Sequence, residues 1–127
     1  MIILNFSHPL TQEQINQIEI FMGRNIEQVV DIVVRFDLAH PFVPQLERLL
    51  SQSILSSDTL RTKLVILNPP SLNSIAVLVV AGLHGKIGYF PPIIRLKPQS
   101  DGHSVKYSVA EIIDIQAVRD VISTLNY

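Results

Sequence analysis

Short apolar runs rich in β-branched residues alternate with segments of helical period along this chain, and that alternation predicts an α/β domain of the Rossmann-like class. Two further observations narrow the prediction. The 127 residues, 14.2 kDa in all, have the length of a single domain spanning 1–127. Five strand-like segments joined mostly by helices then imply one mostly parallel five-stranded sheet with helices on both faces, a three-layer sandwich closed by an antiparallel hairpin.

The first strand is Ile2-Ile3-Leu4-Asn5-Phe6, ending at Ser7-His8-Pro9. Thr11 and Gln14 have the spacing of a capping box, and Ile15, Ile18, Phe21 and Met22 follow as the inward stripe of a helix that stops at Gly23. A second strand runs over Val29 to Phe36, and Asp37 to Pro41 is a loop. A second helix opens near Phe42-Val43-Pro44, where proline fits the first turn, with Val43, Leu46, Leu49 and Leu50 inward. Ser51 to Thr59 reads as a polar connector, and Lys63 to Leu67 as the third strand before Asn68-Pro69-Pro70.

Ser71 is placed to cap a helix over Leu72 to Leu83 that carries no charge on any face. Period alone allows a strand here, but Pro-Pro-Ser before it and Gly82-Leu83-His84-Gly85 after it are start and stop signals at helical length. Pro91 to Lys97 and Val105 to Val109 are strands four and five around the turn Gln99 to Gly102. Asp114 caps a last helix with Ile115, Val118, Val121, Ile122 and Leu125 inward.

The composition excludes several classes. With 47% hydrophobic and 17% charged residues, against about 25% charged in an average domain, the chain is not disordered, and some of its apolar surface is expected to lie between subunits. It has no cysteine for disulfides. The longest apolar stretch, Ile75 to Leu83, falls well short of the roughly 20 residues of a membrane span, and Met1 leads directly into Ile2-Ile3-Leu4, so we expect a soluble cytoplasmic protein. Charge is uneven along the chain: residues 61–106 hold six basic side chains (Arg61, Lys63, Lys86, Arg95, Lys97, Lys106) and one acidic, and could line a phosphate-attracting surface or be scattered in solvent.

Ligands of open α/β sheets bind at the carboxyl ends of the strands, beside helix N-termini that favour anions. The loops in that position offer Asn5, Ser7 and His8, then Asp37 and His40, then Asn68, Pro69 and Ser71. There is no glycine-rich dinucleotide fingerprint and no Walker lysine. The four histidines lack metal-site spacing, so no metal and no cofactor are expected. A direct Ser7–His8 nucleophile pair is awkward, because neighbours on a strand point to opposite faces. What remains is a polar cluster suited to phosphate and ribose. Asn5-Phe6-Ser7-His8-Pro9 is its most informative piece, although Ser7 and His8 could equally bond only their own loop. His84-Gly85-Lys86-Ile87-Gly88-Tyr89 is a second piece, where glycines admit an anion to the backbone and Lys86 supplies charge; a helix C-cap followed by a turn explains the glycines as well.

The opening Ile-Ile-Leu-Asn-Phe-Ser-His-Pro-Leu-Thr resembles the small accessory proteins of type III CRISPR systems, which look like single CARF-type Rossmann domains. The resemblance is clearest over residues 2–14; the glycine-lysine piece matches loosely, and the wider signature of glycine, threonine and lysine is incomplete. It implies a homodimer that binds cyclic oligoadenylate, such as cyclic tetra-adenylate, in a cleft across the dimer axis and damps type III CRISPR signalling. Some proteins of this kind are ring nucleases that linearise the messenger without metal, by attack of a ribose 2′-hydroxyl. By this likeness Ser7 and His8 fall where ribose and phosphate are contacted and Lys86 where a basic residue faces the ring; together with Asn5, Asn68, Ser71, His84 and Gly85 from the loops above they are the expected ligand-binding residues, and His8 and Ser7 are the catalytic candidates if the ring is opened. The expected partners are the messenger and a second copy, with no DNA and no membrane. Two other classes remain open: a structural interaction module using the Leu72–Leu83 helix, and an unrelated small nucleotide-binding enzyme.

Overall fold

A computed structural model describes residues 1–52, 55–100 and 102–125. The elements follow in the order β1 (Ile2–Asn5), α1 (Gln12–Met22), β2 (Gln28–Asp31), α2 (Phe42–Leu50), α3 (Ser57–Thr62), β3 (Val65–Asn68), α4 (Asn73–Ile87), β4 (Ile93–Ser100), β5 (Val105–Ile113) and α5 (Ile115–Thr124). They build one five-stranded sheet in the order β2-β1-β3-β4-β5, parallel except for β5, which is the predicted Rossmann-like architecture.

Period-two alternation sorts the strand residues between two cores. Ile2, Leu4, Phe6, Val65 and Leu67 face α2, α3 and α4, whereas Met1, Ile3 and Ile66 face Ile18 of α1. The central strands β1 and β3 are buried throughout, as parallel strands covered on both faces must be. Thr11 and Gln14 form the capping box in full, and Gly23 ends α1 in the left-handed region. Of the expected stripe on α1, Ile18 is fully buried and Met22 packs against the core, but Phe21 is half exposed, and Gln14 is buried in addition. Gln14 and Gln17 instead hold the edge strand β5, Gln14 Nε2 donating to Tyr107 O at 2.8 Å and Gln17 Oε1 accepting from Val109 N at 2.8 Å.

Several boundaries differ from the expected ones for physical reasons. Strand β2 ends at Asp31 because its neighbour β1 ends at the paired Asn5; the rest of the predicted strand continues without a ladder partner. The connector Ser51 to Thr59 contains the start of α3, anchored by the buried Leu55 and Leu60. Ser71 does not cap α4; Leu72 holds that position and no side chain among the described residues caps the helix. The helix does not stop at Leu83 but runs to Ile87, with Gly88 as its left-handed terminus. Gly82 is a contact residue, since a Cβ there would overlap Leu50 Cδ1 where α2 crosses α4. Strands β4 and β5 form a longer hairpin than predicted; of the predicted turn, Asp101 lies outside the described residues. Asp114 caps α5 as expected, accepting from Ala117 N at 3.0 Å, but the predicted inward residues Val118, Val121, Ile122 and Leu125 are all exposed. Among the described residues no helix is long and apolar enough to cross a membrane.

The two helical glycines separate packing from propensity. Gly82→Ala gains about 1 kcal/mol of helix propensity but must displace the buried Leu50, so a net loss of about 1 kcal/mol or more is expected. Gly85→Ala meets nothing within 4 Å and should raise stability by about 0.5–1 kcal/mol. Opposite signs in urea denaturation are the expected result. A second test concerns Glu27, whose carboxyl is held down at about 2 by hydrogen bonds and charge from Lys63 and the Met1 amino group. A depressed pKa stabilises the fold above the ordinary value of 4.5, and that contribution is lost as pH falls from about 4.5 toward 2. Glu27→Gln should flatten this part of the stability–pH curve, measured against wild type.

Candidate functional site

The site is built on a polar row across three strands. Register places Asp31, Asn5 and Asn68 side by side at the carboxyl ends of β2, β1 and β3. Asn5 is almost wholly buried, and its amide is fully used. Its Nδ2 donates to Asp31 Oδ1 at 2.8 Å and to His8 O at 3.0 Å; its Oδ1 accepts from Asn68 Nδ2 at 2.9 Å and from Ser7 N at 3.1 Å. One side chain thus locks three strands and folds the Ser7–His8 loop over them.

This decides how the loop is held. The loop's backbone is tied by Asn5, while the Ser7 hydroxyl and the His8 ring have no hydrogen-bond partner among the described residues. Both line a cleft of about 580 Å³ at the carboxyl edge, within the roughly 300–1,000 Å³ usual for small-molecule sites. Ser71, Leu72 and Ile75 form the opposite wall, where α4 begins, and the uncapped amides of that helix end favour an anion. The third wall is the segment after β2. Its alternation turns Ile32, Val34 and Phe36 into or against the core and leaves Asp31, Val33 and Arg35 exposed. The Arg35 guanidinium makes no hydrogen bond or ion pair with the described residues.

The structure therefore gathers Ser7, His8 and Ser71 in one cleft, while Asn5 and Asn68, buried at the strand ends, do not line it. Asn5 and Asn68 are buried and bonded to each other, so Asn5 acts as scaffold rather than as a group presented to a ligand. His84, Gly85 and Lys86 are not in this cleft. They lie in the last turns of α4, about 17–20 Å along the helix from its first residue, at the opposite edge of the sheet. There His84 stacks on Phe90 at a centroid distance of 4.2 Å, Lys86 Nζ donates to Leu50 O, and Lys86 O accepts from Arg61 Nε. Asp37 and His40 also stand apart, bonded to each other at 2.7 Å. The basic residues of 61–106 do not form one surface either: Lys63 pairs with Glu27 and Arg95 with Glu111.

Arg35 is the residue that the sequence reading missed. The period-two run Asp31-Ile32-Val33-Val34-Arg35-Phe36 carried the signal, because it puts Asp31 and Arg35 on one face beside the loops already singled out. Among the described residues no three His, Asp or Glu side chains gather as metal ligands. No family model matches the chain, and no curated protein or solved structure matches it significantly.

The polar row predicts a stability effect that a ligand residue would not have. Asn5→Ala leaves Asn68 Nδ2, Ser7 N and His8 O without their partner, and a loss of about 2–3 kcal/mol is expected. Ser7→Ala should change stability by less than about 0.5 kcal/mol, since its hydroxyl holds nothing. Chemical denaturation of the two variants checks both; equal effects would remove the scaffold role.

Proposed function

We propose that the protein binds cyclic oligoadenylate in the carboxyl-edge cleft of a homodimer and damps type III CRISPR signalling chiefly by holding the messenger. The observation that carries this reading is the convergence in one cleft of the free Ser7 hydroxyl, the free Arg35 guanidinium and the uncapped start of α4. These are the groups that bind phosphate and ribose: backbone amides and a planar guanidinium for phosphate oxygens, a hydroxyl for sugar or phosphate. The apolar lining of Phe6, Val34, Phe36 and Ile75 suits an adenine. At the rim, Val33, Leu38 and Leu72 are exposed, a surface that a second copy lying across the cleft would cover.

Holding is favoured over cleavage by the state of His8. A general base works best when its ring is oriented by a second group, and the one carboxylate of the polar row, Asp31, is bonded through Oδ1 to Asn5. Nothing among the described residues bonds the His8 ring.

Titration of the purified protein with cyclic tetra-adenylate, followed by chromatography of the ligand, reads binding and ring opening together. Micromolar or tighter binding with intact ligand recovered is expected. Arg35→Ala should weaken binding about ten-fold or more, the usual worth of a charged hydrogen bond. Lys86→Ala, at the other end of α4, should change it less than two-fold. If the wild type opens the ring, His8→Ala should slow opening by about 100-fold while affinity stays within a few-fold. Absence of binding at micromolar ligand would leave an interaction module, and preference for mononucleotides would mark an unrelated nucleotide-binding enzyme.

A further inference from the structure

The Arg35 wall of the cleft has a second side. Val33, Arg35 and Phe36 also line a groove of about 510 Å³ whose far wall is the end of α2, with Arg48 and Leu49, and Gln52 just beyond it. The two cavities share these three residues, so one continuous surface turns around Arg35. Like Arg35, Arg48 makes no hydrogen bond or ion pair with the described residues through its guanidinium. Among the described residues no carboxylate lines the groove. The nearby Asp37 is occupied by His40, and its backbone by Gln45, which donates to Asp37 O and accepts from Asp37 N.

Two guanidiniums that share a groove without an acid repel each other, and an anion lying between them turns that repulsion into two sets of charged hydrogen bonds. Phe36 and Leu49 add an apolar surface beside the charges, as a nucleobase requires. We infer that this groove is a second phosphate subsite: an oligoadenylate with one phosphate at Ser7 and the start of α4 lays a neighbouring phosphate between Arg35 and Arg48. The inference rests on the proposed function and deepens it, because it selects ligands with at least two phosphodiester groups over mononucleotides. Arg35 serves both subsites and Arg48 only the second.

The test compares cyclic tetra-adenylate with AMP on the wild type, Arg48→Ala and Arg48→Lys at several salt concentrations. Arg48→Ala should weaken cyclic tetra-adenylate at least ten-fold and lower the slope of log affinity against log salt by about 0.7–0.9, the loss of one phosphate contact. AMP should bind both proteins within two-fold of each other, a difference between ligands that a merely structural defect would not produce. Arg48→Lys should recover part of the affinity, since it restores the charge without the bidentate fork. If the wild type binds cyclic tetra-adenylate and Arg48→Ala binds it equally, the second subsite is overturned while the proposed function stands. A wild type that binds AMP alone also overturns the subsite. Binding of neither ligand removes the proposed function and the subsite with it.

Discussion

The four hydrogen bonds of the Asn5 side chain are the interaction on which the rest of the carboxyl edge depends. An amide removed from water costs several kcal/mol unless its donors and acceptors are met, so a buried asparagine at the centre of a parallel sheet demands its partners in defined places. Those partners are Asp31 and Asn68 on the flanking strands and two backbone groups of the following loop. Such a network specifies register as well as stability, because a one-residue slip of any of the three strands would turn a polar side chain to the wrong face. It also leaves the loop's side chains nothing to do structurally. Ser7 and His8 are presented to the cleft because Asn5 has already satisfied their backbone.

Electrostatics in the fold do not follow electrostatics along the chain. The basic stretch of residues 61–106 is spent largely on structure: Lys63 on Glu27, Arg95 on Glu111, Arg61 and Lys86 on carbonyl groups where α2, α3 and α4 meet. Arg35 and Arg48, cations beside the cleft that are unpaired among the described residues, come from the acidic first half. Charge at a site depends on which ions remain unpaired after folding, and pairing is a long-range property.

Apolar surface is distributed in the same manner. Helix α4 is uncharged along most of its length, yet Ile75, Val79, Leu83 and Ile87 suffice to cover one core, leaving Val77 in solvent. Helix α5 buries none of its residues and is tied back where Phe90 N donates to Gln116 Oε1. A ten-residue helix has little stability of its own in water, which makes this amphipathic segment the least supported element of the fold.

Local patterns determined the class of the fold and most of its elements. The capping box at Thr11, the left-handed Gly23 and the buried run of β1 were legible because each depends on residues within a few positions of one another. The carboxyl-edge loops were legible too, since parallel sheets place their ligands by rule. What only the tertiary structure decided was how those loops share partners. The glycine pair of α4, a local stop signal, lies inside the helix because Leu50, more than thirty residues away, packs on Gly82, whereas the place of His84, Gly85 and Lys86 at the far edge of the sheet follows from a helix of this length after β3. Arg35 joined the site only because β2 lies beside β1 and loses its ladder at Asp31. Helix caps are local hydrogen bonds and are written in the sequence; packing contacts and free charges depend on which distant segments meet, and sequence spacing does not record that.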